Sequence, residues 1–417
     1  MRIVYLWDAD YPWDVRTEKI CSFLARSGGE VTIVARNRAW LPLVEERNEG
    51  VVRRMPPSRW LGRSIDDVLS FPAFFNPRWI RHLDRSVRLA QPDVLIVRDL
   101  PLGPTAVWVG RRRRVPVVLD MAENYPAMIA AIWNAGRQRW FDAMVRFPAA
   151  VARVERWTLP RVDEVLVVVE ESKDRLVRIG VPAERISIVS NTPPRDRALT
   201  PGAAPVGSAG RALRLVYLGL LEIHRGVSEL LSAIAVLRDR GHSIRLTVIG
   251  DGRDEAEFHR LAERLRLSPP TLTFTGRLPN DAALRAVAQA DVGVVPHHAD
   301  ESWNSTIPNK LFDYMAAGLA VVSSDAAPCR RIVTETGSGR IFRSGDSTDL
   351  ARAIEELLPD DVRSTCGRSG RAAILGYYNW ENDCARLQSA LERAAARTSL
   401  NARAISATAV RSPSREM

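Results

Sequence analysis

Lys310 is the third residue of a stretch reading PNKLFDYMAAGLAVVSSD and is one of three lysines, with Lys19 and Lys173, in a chain whose lysines and arginines total 59. Pro308 suits the first turn of a helix, and Ser305 and Thr306 are candidate caps. The spacing predicts a helix from Asn309 to Ala317, stopped by Gly318. A cation in the first turn is repelled by the helix dipole. Local helix energetics therefore do not explain Lys310, whereas an anionic ligand would. Asp313, three residues on, is expected on the same face. In LGLLEIHRG a second cation, Arg225, stands beside the flexible backbone of Gly226. Two such charges can hold a diphosphate from two sides, one per phosphoryl group. The competing reading of each is a solvated surface cation.

Short apolar runs must position these residues. MRIVYLW at the start and LRLVYLG from Leu213 are near copies, each a candidate first strand. PDVLIVRD, VPVVLD and VDEVLVVVEES follow the first; IRLTVIGDG, LTFTGRLP, ADVGVVPHH and LAVVSSD follow the second. Helical spacing is read for Thr17 to Ser27, Val227 to Asp239, Glu255 to Leu265 and about Ala282 to Gln289. This is the grammar of a parallel α/β sheet, written twice. Ligands of such sheets bind beyond the carboxyl ends of the strands. That rule singles out Gly219, Gly250 with Asp251 and Gly252, Gly276 with Arg277, Pro296 with His297 and His298, and the SWNSTIPNK stretch.

Five segments are expected: a domain over 1–191, a linker over 192–212 rich in Pro, Gly and Ala, a second domain over 213–375, a helix over 376–397 packing back toward the first domain, and a disordered tail over 398–417. A length of 417 residues with 46% hydrophobic content fits two such domains. The net charge of +10 favours anionic partners. No basic and aromatic residues stand at nucleic-acid recognition spacing, so nucleic acid is not expected. The four scattered cysteines signal neither zinc nor a disulfide framework, and no run reaches the ~18 apolar residues of a membrane span. A cytoplasmic location is expected.

LRLVYLG, the basic residue before glycine, VIGDG, LTFTGRLP, ADVGVVP and PNKLFDYMAAGLAVVSSD, in that order and spacing, resemble the nucleotide-sugar half of glycosyltransferase family four, strongly over 213–341 and more loosely upstream. The resemblance implies the GT-B architecture, an α/β fold of two Rossmann-like domains facing each other across a cleft. It implies a retaining transferase that moves a sugar from a nucleotide-sugar donor to a saccharide or lipid-linked acceptor in polysaccharide or cell-envelope glycan synthesis. Arg225 falls at the family's phosphate-binding cation and Asp313 at its ribose-binding carboxylate. Gly219, Gly250, Arg277, Ser305, Thr306, Pro308, Asn309 and Lys310 complete the implied donor site. Ser305 stands where many members carry the first Glu of an E-x7-E pair. DMAENYP resembles D-x-H-E-x-x-P, with Ala122 in place of histidine; Glu123 or Asn124 becomes the polar neighbour of the reacting centre, and Arg16 the basic residue at the cleft. Glu123, Arg225 and Lys310 are thus the expected catalytic set. Neither a metal nor another cofactor is expected.

Trp133 to Trp157 mixes Trp, Phe and Arg as a helix on anionic lipid would, at the inner face of the membrane, although a buried crossing helix explains it as well. RRRR at 111–114 reads as a solvated loop. Two other functions stay open: a non-catalytic or regulatory nucleotide-sugar-binding protein, motivated by Ala122 and Ser305, and a nucleotide-sugar epimerase or phosphorylase of the same fold.

Overall fold

The apolar runs form two sheets, each flanked by the helices that the intervening segments supply. A computed structural model describes residues 1–12, 14–57, 62–71, 74–134, 147–199 and 211–409. The chain divides into one unit of residues 1–189 with 384–417, and a second of residues 190–383.

In the first unit the strands are β1 (Arg2–Leu6), β2 (Glu30–Ala35), β3 (Val44–Arg47), β4 (Gly50–Arg54), β5 (Val94–Arg98), β6 (Val117–Asp120), β7 (Glu164–Val167) and β8 (Ile186–Ile188). They lie in the order β3-β4-β2-β1-β5-β6-β7-β8, with β3 and β4 an antiparallel pair and the other pairs parallel. VLIVR of β5 is buried along its whole length, as expected of a strand covered on both faces.

The second unit holds β9 (Leu213–Leu218), β10 (Ile244–Ile249), β11 (Leu272–Gly276), β12 (Val292–Val295), β13 (Ala320–Ser324) and β14 (Gly339–Phe342), all parallel, ordered β11-β10-β9-β12-β13-β14. This is the doubly wound order, which reverses between β9 and β12. The carboxyl ends of those two strands therefore lie side by side. Leu215, Tyr217, Val248, Val294 and Val322 bury one sheet face against Leu230, Ile234 and Leu237 of the helix Val227–Asp239.

The helices Val15–Arg26, Val227–Asp239, Glu255–Arg264 and Asn280–Val287 fall where apolar spacing predicts, some ends shifted by a residue or two. Other segments differ from expectation. Within 192–212, read as a linker, Arg195–Leu199 is a helix; Trp380 N–H donates to the Pro193 carbonyl at 2.9 Å, and residues 200–210 lie outside the described residues. Residues from Cys384 onward belong to the first unit, and the helix Trp380–Ala409 continues past 398, where a disordered tail is expected. Alanine and other good helix formers carry it on; 410–417 lie outside the described residues. Arg111–Arg113 occupy the last turn of the helix Gly103–Arg113 instead of a loop, a position the helix dipole favours, and Arg113 grips Asp84 with two bonds of 2.7 and 2.6 Å. Of Trp133 to Trp157, residues 135–146 lie outside the described residues. Trp133 packs against the cluster of Leu100, Tyr125, Ile129 and Val151, and Trp157 against the main core of the first unit. All four cysteines are free and buried, and no described helix is long and apolar enough to cross a membrane.

Glu164 is fully buried and depends on the terminal helix for charge balance: Arg393 donates to it at 2.5 Å, and Ser187 at 2.8 Å. Arg393→Ala is expected to cost about 1–3 kcal/mol, less than a fully enclosed pair because Arg393 is partly exposed. Urea denaturation would show a lower midpoint at unchanged slope; an unchanged midpoint refutes this role for the helix.

Candidate functional site

In the second unit the ends of β9 and β12 bring positive groups together. Lys310 is the second residue of the helix Asn309–Ala316 and is only 6% exposed. Its Nζ lies 3.8 Å from the centroid of the Tyr217 ring and has no hydrogen-bond partner. Gly219 has a positive φ of 142°, and a Cβ there would stand 2.9 Å from Nζ, so glycine keeps open the space that the ammonium faces. The single turn Ile223–Arg225 ends at Gly226, whose φ is +71° and whose Cβ, if present, would lie 1.8 Å from the Pro296 carbonyl oxygen. Only glycine lets this turn close on the end of β12, where His298 N–H donates to the His224 carbonyl at 3.3 Å. Arg225 donates to Glu222 at 3.3 Å and lies 5.5 Å from the Trp303 ring centroid. The ring of His297 packs edge-on to Trp303 at 4.2 Å. His297 is fully buried, and neither ring nitrogen is bonded. Burial, then the charges of Lys310 and Arg225, push the His297 pKa well down. Burial and the charge of Arg225 do the same to Lys310. Such a cluster is costly when empty and suited to an anion.

The other expected donor residues divide. Gly250 answers to the fold: a Cβ there would lie 2.0 Å from the Gly219 carbonyl oxygen, so its glycine permits the strand ends to pack. Arg277 is exposed after the edge strand β11, with β10 between that strand and β9. Ser305 does not cap the helix; its hydroxyl donates to the Glu301 and Ser302 carbonyls at 3.0 and 3.3 Å. Pro308 is the residue that precedes the first turn, in extended conformation, because its fixed φ and missing N–H suit a helix entry. Pro308 and Thr306 are buried and Asn309 is exposed. Asp313 pairs with Arg197 at 2.8 Å.

In the first unit Arg16 forms a buried ion pair and keeps Nη1 without a hydrogen-bond partner. It is 3% exposed and locked to Asp120 through Nη2 at 2.6 Å and Nε at 2.9 Å, while the Tyr5 hydroxyl donates to the same carboxylate at 2.8 Å. The attraction of Arg16 and Arg98 holds Asp120 below the usual carboxylate range in spite of burial. Arg16 thus ties its helix to β1 and β6. Asn124 is buried, and its Oδ1 accepts from Ala127 N–H at 3.3 Å, capping the helix Tyr125–Asn134. Glu123 is exposed and belongs to the first unit, whereas Arg225 and Lys310 belong to the second. Sequence reasoning missed Arg98 and Asp99 at the end of β5. Asp99 has φ +59° and accepts from Arg98 Nη1 and from Ala122 N–H, each at 3.3 Å. Burial pushes its carboxyl up against the pull of Arg98, and Glu123, Asp120 and Asp8 add to the rise. The strand-end position of VRD was the available signal. The same rule had already singled out His297; Trp303 carried no signal beyond its place in the SWNSTIPNK stretch.

Comparison with known proteins agrees with this architecture. Residues 14–192 match the model of the glycosyl transferase 4-like domain and residues 212–360 that of glycosyl transferases group 1. Glycogen synthase of Mycobacterium tuberculosis is 25% identical over 72% of this chain and 67% of its own. Sucrose-phosphate synthase from Thermosynechococcus elongatus superposes with a TM-score of 0.73 at 17% identity, covering 93% of this chain and 98% of that one. HepE of Anabaena, solved in complex with UDP, gives 0.69 at 15% identity over 94% and 100%. The chain belongs to the family-four type of glycosyltransferases and has their GT-B fold.

Two substitutions separate ligand-directed from fold-directed cations. The folded pKa of Lys310 is lowered, so the unfolded chain binds more protons, and wild-type stability from this group rises with pH toward about 10.4. Lys310→Met is expected to remove that slope and to stabilise the empty protein at pH 7 by roughly 1–3 kcal/mol. A lowered thermal midpoint contradicts this. Arg16→Ala strands a buried carboxylate and is expected to cost about 3–5 kcal/mol. The stabilisation of Asp120 is present above about pH 4 and lost as pH falls through its depressed pKa, so the difference from wild type should shrink in acid. Urea titrations at several pH values check this; a deficit independent of pH counts against it.

Proposed function

We propose that this glycosyltransferase moves a sugar from a nucleoside diphosphate sugar to a saccharide or lipid-linked acceptor, with retention at the anomeric carbon, in polysaccharide or cell-envelope glycan synthesis. One observation carries the reading: the buried Lys310 ammonium has no hydrogen-bond partner and faces the open side of Gly219, near the positive charge of Arg225. UDP bound to the structurally similar HepE supports the ligand class.

As the bond from the anomeric carbon to the bridging oxygen breaks, negative charge grows on the departing diphosphate. Fixed cations at Arg225 and Lys310 stabilise that charge without reorganising, because the fold has already placed them. Free N–H groups in the first turn of Asn309–Ala316, where no side chain caps the helix, add to the same field. In this reading the chain's own cations balance the charge, and no divalent ion is needed. Asp313, paired with Arg197 at 2.8 Å, holds the ribose hydroxyls in this reading.

A second reading, nucleotide-sugar binding without transfer, is favoured by Ala122 at the family's histidine position and by the Ser305 hydroxyl being spent on backbone carbonyls.

Titration with UDP, GDP and ADP is expected to find one nucleoside diphosphate that binds, and Lys310→Ala to weaken it by ~1.5–3 kcal/mol. Acceptor-dependent release of that diphosphate, with the product anomer read by NMR, establishes retaining transfer. Binding without release from any donor selects the second reading, and binding of none overturns both.

A further inference from the structure

The structure assigns His297 to the diphosphate grip, as a residue that takes up a proton when the anion arrives and so turns a two-cation site into a three-cation cage. This rests on the diphosphate reading above.

The topology puts His297 there. It follows β12, the neighbour of β9 across the reversal of strand order, and β9 leads into the Arg225 turn. Gly226 against Pro296 and the bond from His298 to the His224 carbonyl fasten the two strand ends together. Trp303 touches both sides: Arg225 lies over its ring and His297 packs against its edge. A buried histidine in a core ordinarily has at least one ring nitrogen bonded. His297 has neither, beside a lysine whose nitrogen is also without a partner. Two unpartnered polar side chains in one place, beside Arg225, suit an anionic ligand.

The charges around His297 fix the direction of the proton. Lys310 comes from the helix Asn309–Ala316, Arg225 and His224 from the turn after β9, and His298 from its own segment. Among these, His298 is paired with Glu229 at 3.1 Å, and Glu222 stands 3.3 Å from both Arg225 and His224. The empty site therefore holds His297 neutral through burial and surrounding positive charge. A bound diphosphate brings more than enough negative charge to reverse that balance. His297 then gains a proton from solvent and donates an N–H to a phosphoryl oxygen; no covalent bond changes.

The test is calorimetric titration with inorganic pyrophosphate, and with whichever nucleoside diphosphate binds, in buffers of different ionisation heat between pH 6 and 8.5. Wild type should take up protons beyond those due to the ligand, and His297→Asn should take up fewer. The ratio of wild-type to His297→Asn affinity should fall by roughly tenfold across that range. Histidine-nitrogen NMR on the wild type needs no variant: of the six imidazoles, one should pass from neutral to imidazolium when pyrophosphate is added at pH 7. Binding with no imidazole conversion overturns the assignment and leaves the functional reading standing, as does an affinity loss in His297→Asn that is equal at every pH. Failure of wild type to bind pyrophosphate or any nucleoside diphosphate overturns both.

Discussion

The buried Lys310 ammonium, without a hydrogen-bond partner and held where β9 and β12 end together beside an Arg225 that is paired with Glu222, is the constraint around which the second unit is arranged. Like charges in a poorly solvated place repel, and the empty protein bears that cost. It is sustained by parts that have nothing to do with the charges: a sheet whose central strands are buried on both faces, and glycines that let backbones touch where any side chain would collide. Gly226 on Pro296 and Gly250 on Gly219 are such contacts, with gaps that a Cβ would reduce to 1.8 and 2.0 Å. The rigidity of the sheet keeps the cations fixed, and fixed charges stabilise a developing anion better than mobile ones.

The first unit handles its charges in the opposite way. Arg16 and Asp120 are paired by short bonds through Nη2 and Nε, and Tyr5 adds a third donor to the carboxylate, while Arg16 Nη1 is left without a partner. A buried pair of this kind contributes orientation more than net stability, since desolvation cancels much of the attraction. It fixes the helix Val15–Arg26 at the end of the sheet and leaves Asp99, in an unusual backbone conformation, at the adjacent strand end. Arg16 has a buried carboxylate partner and Lys310 has none, so the two buried cations differ in their partners, not in their charge.

Much of the fold was legible in the sequence because its signals are local. A run such as VLIVR is a buried parallel strand from composition alone, and the helix beginning at Val227 is fixed by apolar spacing and the glycine before it. Lys310 stood out because its charge opposes the helix it begins. Arg225 was marked by its glycine, and that glycine has the contact its conformation requires. Segments read from composition alone fared worse: helix-forming alanines outweighed the polar character of residues beyond 398, and Arg195–Leu199 folded within an apparent linker.

The sequence by itself determined two doubly wound α/β units and set Lys310 and Arg225 apart from the other cations of the second, since periodicity, glycine placement and misplaced charge are properties of neighbouring residues. Only the tertiary structure decided that Arg16 is consumed by Asp120, 104 positions away, and that Ser305 bonds backward to its own turn. It alone brought His297 and Trp303 to the cations at the ends of β9 and β12. Which side chains are satisfied and which are left wanting a partner depends on contacts between strands distant in the chain, and no local pattern encodes those.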